Sequence, residues 1–440
     1  MSKHAYIETF GCQMNAVDSA RMLSLLETVD YRPAGSVSDA DLIILNTCSI
    51  REKADQKIHS ALGRLKRWKK GGRGRIVAVG GCLAQQAGAR LKEKAPHVDI
   101  VFGTHNISRL PELVRRAEEA TASVEVDFTG DTTHWEVSPY RAEGTAGAMV
   151  TIMQGCDNYC AYCIVPYVRG REISRPSSDI LAEVRKLAGR GVAEVILLGQ
   201  NVNSYGRKEG DMSFSALLRR MSGIPGIARI RFITAHPRDL DPGTIGLFAE
   251  LDALCPHLHL PLQAGSDRIL DSMGRGYARS EYLKKVDALR RARPGIAFSS
   301  DFIVGFPGET EADFEETLSV MDGVRYDSCF SFKYSPRPGT RAASLGGAVP
   351  PEIAGDRLRR LQSLQECHTR ERLSACLGSE MEVLVEGTSA RKDKELYGRT
   401  PCNKVVNFSP DASRSGPIRR VIIRSAGAHS LSGEEGAPRG

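Results

Sequence analysis

Three short apolar runs near the amino terminus share one design. AYIETF runs up to Gly11-Cys12, DLIILNT up to Cys48 and RIVAVGG up to Cys82. The cysteines stand 36 and 34 residues apart, the length of a βα unit. Helix-like stretches, Ser19–Val29 and Ile50–Trp68, fill the intervals. The alternation predicts parallel strands joined by right-handed crossovers, with their carboxyl ends on one edge. Open α/β sheets bind ligands along that edge. Three distant cysteines are thereby expected to form one cluster. The bland alternative is three unrelated buried cysteines, since free Cys is commonly buried.

Residues Thr121–Gly147 are polar, with Pro139 and several glycines, and read as a linker. From Met149 to Pro338 the alternation resumes in AMVTIMQ, AEVILLG, RIRFITA, HLHLPL, IAFSSDFIVGF and DSCFSFKYS. Helical stretches such as Asp179–Gly189 and Ser280–Arg291 separate them. Six such units predict a partial barrel, because a full eight-unit one takes ~250 residues. A helix, Ile353–Leu377, leads to MEVLVEG, ELYGRT, NKVVNF and RRVIIRS, whose spacing predicts a small β-barrel. The residues from about Ser432 are expected to fray. The fold class is α/β: an open parallel sheet over 1–120, a linker over 121–147, a partial (βα)6 barrel over 148–370 and a small β-barrel over 371–440.

Composition narrows the class. The chain has 440 residues, 41% hydrophobic and 26% charged, as in an ordinary globular protein. It has no apolar run of about 18 residues and no secretory h-region, so no membrane partner is expected and the cytoplasm is the expected location. A net charge of +7 permits a polyanionic partner without demanding one. Eleven cysteines in a chain without an export signal argue for metal or thiol chemistry rather than a disulfide framework.

Position then selects among them. GCDNYCAYCIVPYVRG places Cys156, Cys160 and Cys163 in a C-x3-C-x2-C loop just after the first strand of the barrel. Three thiolates in one loop can hold three corners of a 4Fe–4S cube, which leaves one iron open to a small chelating molecule. Structural zinc would want a fourth ligand, and no Cys or His follows nearby.

This loop at the head of a (βα)6 domain resembles the radical S-adenosylmethionine (SAM) superfamily. The likeness extends over nearly all of the chain through TFGCQMNAVDS, NTCSIREKA, GGCLAQ, LLGQNVNSYG, HLPLQAGSDRIL, DFIVGFPGET, YSPRPGT and GRTPCNKVVNF. Together these are similar to the tRNA methylthiotransferases, specifically their isopentenyladenosine branch, with a TRAM-like RNA-binding end. The resemblance implies two 4Fe–4S clusters. Cys156, Cys160 and Cys163 would hold the one that binds SAM, and Cys12, Cys48 and Cys82 an auxiliary one that carries the sulfur. It implies methylthiolation at C2 of N6-(dimethylallyl)adenosine, at position 37 of tRNA, with separate electron-donor and sulfur-donor proteins and a monomeric enzyme. Tyr159 and Ala161 stand where the family often has Phe and Thr. Cys402 is unusual there and reads as an exposed thiol without a role.

Supporting residues are read from their neighbours. Gly199, Gln200 and Asn201 follow a strand and could approach the methionine part of SAM. Gly305 and Gly308 could admit a ligand at a strand–helix turn, or merely make the turn. Arg169, with Arg171 and Arg175, could meet the SAM carboxylate or the tRNA backbone. The basic run Arg64–Arg75 falls at the opposite sheet edge from the cysteines and reads as a solvated helix end. His236, His257 and His259 lie at barrel strand ends, where packing and function are equally good readings. Two rivals stay open: a related enzyme acting on threonylcarbamoyladenosine tRNA or a ribosomal-protein aspartate, and a non-catalytic, metal-stabilised RNA-binding protein.

Overall fold

The structure, a computed structural model, describes residues 3–49, 52–72, 74–137, 139, 146–208, 211–389, 395–411 and 416–436. Ile50, Arg51 and Arg73 of the stretches above lie outside the described residues, as do 138 and 140–145 of the expected linker. The chain forms two compact units: Met1–Glu143 with Met153–Tyr159 and Cys163–Ile173, and Gly144–Ile152 with Cys160–Tyr162 and Ser174–Gly440.

The first unit is built on one parallel sheet. Its strands are β1 (Lys3–Thr9), β2 (Tyr31–Pro33), β3 (Leu42–Thr47), β4 (Ile76–Gly81), β5 (Ile100–Phe102) and β6 (Ser123–Glu125), in the order β2-β1-β3-β4-β5-β6. Helices cover both faces. Leu42 and Ile44 pack with Met22, Leu26 and Leu113, whereas Ile43 and Leu45 pack with Ile58, Leu62 and Val79. Burial on both faces explains the unbroken apolar runs of β3 and β4.

The expected linker is a correction. β6 completes the sheet, with Gly103 donating to the Glu125 carbonyl at 2.7 Å. Gln85 donates to the Val126 carbonyl, Ser108 to Asp131, and His134 and Trp135 are buried. The stretch 121–137 therefore belongs to the first unit. Its polar residues serve internal bonds, which composition alone does not reveal.

In the second unit, β7 (Gly147–Thr151) opens the barrel. β8 (Met153–Gln154) and β9 (Ile173–Ser174) flank the C-x3-C-x2-C loop in sequence. The barrel continues with β10 (Glu194–Leu198), β11 (Arg229–Phe232), β12 (His257–His259), β13 (Ala297–Val304) and β14 (Ser328–Lys333). It consists of two parallel halves, β7-β10-β11 and β12-β13-β14, joined by an isolated bridge between Ile230 and Leu254. Val195, Leu197, Ile230 and Phe232 face the helices; Phe232 meets Phe214 edge-on at 5.1 Å. Glu194, Arg229 and Arg231 take the opposite, inner face, because side chains alternate along a strand.

The carboxyl-terminal barrel closes in the order β15-β16-β17-β19-β18, from β15 (Glu380–Thr388), β16 (Leu396–Arg399), β17 (Val405–Ser409), β18 (Ile418–Ala426) and β19 (Leu431–Glu435). The expected fraying from Ser432 is overturned over 432–435, while 437–440 of that stretch lie outside the described residues: β19 closes the barrel between β17 and β18, and Leu431 joins its core with Val383, Phe408 and Val421. The turn after β16 reaches the amino-terminal end of the (βα)6 strands. Arg229 donates to the Arg399 carbonyl at 2.9 Å, and Arg231 to the Thr400 and Pro401 carbonyls at 2.6 and 2.8 Å. Lys404 pairs with Asp327 at 2.5 Å. Cys402 sits in this plug, half-buried rather than exposed, and burial pushes its thiol above the usual range.

The plug yields a stability prediction. Arg231 is also 3.1 Å from the buried Glu194 carboxylate. Arg231→Met should cost about 3–5 kcal/mol, because it leaves the buried Glu194 with only the longer pair to Arg229 at 3.9 Å and takes the donor from the Thr400 and Pro401 carbonyls. Arg399→Ala, which breaks only a half-exposed pair with Glu386, should cost about 1 kcal/mol or less. Urea midpoints of the two variants, compared with wild type, check this.

Candidate metal and cofactor site

The amino-terminal cysteines meet because their strands are neighbours. β1, β3 and β4 pair in register, Thr9 beside Asn46 and Thr47 beside Gly81. Cys48 and Cys82 directly follow β3 and β4, and Cys12 lies three residues beyond β1. The turns are cross-braced. Asn15 donates to the carbonyls of Phe10 and Thr47, both at 2.9 Å, and Asn46 donates to the Asn15 carbonyl and to Ser19. Gly11 holds a φ of +111°, and a Cβ there would lie 2.7 Å from Cys48 Sγ. Only glycine permits this approach.

Arg169 completes the arrangement. Its side chain is 3% exposed and its Nη2 reaches Asp18 at 2.8 Å and Asn15 at 2.9 Å. Nη1 is buried with no hydrogen-bond partner. Burial raises the Cys82 thiol to about 12, with the charge of Arg169 opposing and the neighbouring Cys48 and Cys12 adding to the rise. For Arg169 itself burial is unfavourable, but Asp18, Cys82 and Cys12 outweigh it and hold the guanidinium charged. The arginine expected at SAM or the tRNA backbone is thus committed to the side of the first triad. Arg175 is likewise internal, paired with Glu183. Arg171 alone of the three is exposed, paired with Asp157 at 2.7 Å.

Cys156 and Cys163 fall in the first unit and Cys160 in the second. Cys156 is anchored by its N–H to the Gly170 carbonyl, and Tyr159, with a φ of +46°, packs edge-on against Tyr167. Around Cys160 the second unit places two residues that the motifs did not single out. Arg275 is buried, with Nη1 3.5 Å from Cys160 Sγ and 3.3 Å from the Tyr162 hydroxyl. Its Nη2 donates to the Pro261 carbonyl at 2.6 Å. His236 Nε2 lies 3.9 Å from the same sulfur, and burial, then Arg275 and Arg238, hold its ring neutral. A guanidinium hydrogen-bonded to a sulfur is one means of setting a cluster potential.

Among the described residues no three His, Cys, Asp or Glu side chains are drawn together at metal-binding distance. The donor chemistry nevertheless fits a cluster. The first three cysteines follow three adjacent strand ends, and a buried cation with an unanswered N–H stands beside them. Such a donor suits thiolate or sulfide.

The expected SAM contacts divide. Gly199, Gln200 and Asn201 follow β10 at its carboxyl end. The Gly199 carbonyl accepts from Thr234 at 2.8 Å, and Asn201 Nδ2 donates to Asp239 at 2.7 Å. Asn201 Oδ1 and both polar atoms of the buried Asn203 have no hydrogen-bond partner. Unsatisfied buried amides cost roughly 1–3 kcal/mol each, which marks this loop as a place for a polar ligand. Gly305 and Gly308 are corrections. The Gly305 N–H is taken by Glu309 at 2.6 Å and a Cβ there would strike Ala354. The Gly308 N–H is taken by the Gly347 carbonyl at 2.7 Å. Both glycines shape a turn and offer no free donor. Of the basic run, Lys69 and Lys70 close the helix Glu52–Lys70 ahead of β4, whereas Arg64 pairs with Glu8 near the carboxyl end of β1 at 3.6 Å.

Known proteins are similar throughout. Residues 4–103 match the family described as Uncharacterized protein family UPF0004, 150–321 the Radical SAM superfamily and 374–434 the TRAM domain. The tRNA-2-methylthio-N(6)-dimethylallyladenosine synthase of Geobacter sulfurreducens is 53% identical over 98% of this chain and 97% of its own. Its namesake in Geobacter metallireducens is 54% identical over 98% of both chains. Among solved structures, the radical S-adenosylmethionine methyltransferase TsrM from Kitasatospora setae, with cobalamin and a [4Fe-4S] cluster bound, matches with a TM-score of 0.57. It is 16% identical, and the match covers 78% of this chain and 77% of that one, a likeness of fold.

The buried pair beside the first triad gives a second prediction. Asp18→Leu should cost about 3–5 kcal/mol by leaving Arg169 charged and alone. The double variant Asp18→Leu/Arg169→Met should recover part of that loss, because no charge is then stranded. Urea unfolding of both variants gives the comparison.

Proposed function

The chain belongs to the tRNA-2-methylthio-N6-dimethylallyladenosine synthases, radical SAM methylthiotransferases, and from that premise we propose a role for each group of residues. The enzyme replaces the hydrogen at C2 of N6-(dimethylallyl)adenosine in tRNA with a methylthio group. Its cofactors are two 4Fe–4S clusters and SAM; bound, they would supply the sulfur, the methyl group from one SAM, and from a second SAM the 5′-deoxyadenosyl radical that takes up the C2 hydrogen.

Cys156, Cys160 and Cys163 hold the SAM-binding cluster. Arg275 donates toward Cys160 and fixes the electrostatics of that sulfur. Cys12, Cys48 and Cys82 hold the auxiliary cluster, with Arg169 as its countercharge. Gly199, Gln200 and Asn201, with the unsatisfied amide of Asn203, line the SAM site. The observation that carries this assignment is the position of Cys12, Cys48 and Cys82 just past three adjacent parallel strand ends.

We assign 1–137 to the auxiliary cluster, 148–370 to radical chemistry and 371–440 to RNA. Separate proteins supply electrons and sulfur, and the enzyme acts as a monomer in the cytoplasm. Among the described residues no helix is long and apolar enough to cross a membrane. The rival substrates, threonylcarbamoyladenosine and a protein aspartate, are disfavoured by the shared name of the relatives over almost their whole lengths.

Two triple variants test the assignment in anaerobically reconstituted protein. Wild type should hold about eight irons and each Cys→Ala triple variant about four. The Cys156/Cys160/Cys163 variant should lose SAM cleavage altogether. The Cys12/Cys48/Cys82 variant should still cleave SAM but form no methylthio nucleoside. Methylthio product from the latter would overturn the assignment.

A further inference from the structure

The inside of the (βα)6 barrel is unlike a packed barrel core. Register and alternation sort its residues. On β12, β13 and β14, Leu258, Phe298 and Phe302 share one face, which the helices cover: Phe302 meets Tyr326 edge-on, and Ser331 of the same face contacts Gln362 of the helix Pro351–Ser374 at 3.3 Å. The other face is the inner one. From the plug upward it carries His257, then Ser299 and His259, then Asp301 beside Phe330, then Ile303 beside Phe332. His257 and His259 both reach the Ser299 hydroxyl, at 3.1 and 3.0 Å, and His259 stands 3.5 Å from Asp301. Small barrels ordinarily fill this space with side chains. Here Phe330 is 58% exposed and Phe332 41%.

We propose that Phe330 and Phe332 are specificity-determining residues that seat the prenylated adenine on the inner face of β14, with Asp301 accepting a hydrogen bond from the base. The inference rests on the functional reading above. Residues two apart on a strand stand side by side on one face, so the two rings form a continuous apolar surface. A planar base stacks on an aromatic ring whatever its sequence context, and a dimethylallyl group adds apolar area that only such a surface rewards. The exocyclic nitrogen of the prenylated base keeps one N–H, which matches the carboxylate of Asp301, partly exposed and held from behind by His259. Below this layer the space is closed: Arg231, Glu194 and the Arg399–Pro401 carbonyls occupy the amino-terminal end. A ligand on the phenylalanines is therefore barred from the amino-terminal end; the carboxyl end is where the strands lead to Thr234, His236 and Cys160. Thr234 and Gln263, just past β11 and β12, hold positive φ values of +67° and +78°. Strained backbone of this kind gathers at ligand sites.

The test uses reconstituted full-length enzyme and two anticodon stem-loops, one prenylated and one not, assayed anaerobically for binding and for methylthio product. Phe330→Ala should lower kcat/KM on the prenylated stem-loop by about 10- to 100-fold. It should also erase the preference for prenylated RNA in binding, while iron content and RNA-free SAM cleavage stay at wild-type levels. Phe330→Leu should retain part of the preference, which guards against a folding defect in the alanine variant. If wild type binds and modifies both RNAs alike, the functional reading itself fails. If wild type prefers the prenylated RNA and Phe330→Ala and Phe332→Ala keep that preference, the inference alone fails. A change of oligomeric state in the variants with unchanged discrimination would also overturn it, since the face would then be an interface between copies.

Discussion

A full positive charge withdrawn from water has to be answered nearby, and Arg169 is answered twice. Asp18 meets one side of its guanidinium, and the thiols of Cys82 and Cys12 lie within reach of its field. Asp18 belongs to the helix Gln13–Glu27, which starts immediately after Cys12, while Arg169 ends the short helix Val165–Arg169 that follows Cys163. One ion pair therefore ties the loop of the second triad to the edge that carries the first. Removing either partner would free that tether and leave an uncompensated charge. The braces around Asn15, Asn46 and Thr47 serve the same edge with neutral hydrogen bonds.

The second unit solves a different electrostatic problem. The lower interior of its barrel is polar, lined by Glu194, Arg229, Arg231, His257 and His259, whereas the upper interior carries Ile303, Phe330 and Phe332. Arg229, Arg231 and Glu194 could not remain buried without partners. The backbone carbonyls of Arg399–Pro401 provide them, so the RNA-binding module is joined to the barrel through its floor. That leaves the upper interior free of plug, and the phenylalanines of β14 open toward it. The closed floor bars approach from the amino-terminal end.

Legibility in the sequence followed element length and locality. β1, β3, β4, β10 and β13 are long or strongly apolar, and periodicity finds them. β2, β5 and β6 have three residues each, too few for any period to register, so the sixth strand lay hidden in an apparent linker. The cysteine positions were legible because each is adjacent to a strand end. Arg275, Asn203 and the role of Arg169 were not, because burial and partners at long sequence separation define them. The same reason misassigned Gly305 and Gly308. A glycine before a helix looks alike whether its N–H awaits a ligand or already serves Glu309 or Gly347.

The sequence alone pointed to the chemistry: six cysteines in two spacings, a βα repeat that places three of them on one edge, and a net charge of +7 that permits an RNA partner. Those features depend on residue type and local period, which a linear text carries in full. The tertiary structure decided which charges are answered and by whom, which glycine donors remain free, and which face of β14 lies open. These are properties of distance and burial between residues far apart in the chain, and only the folded arrangement contains them.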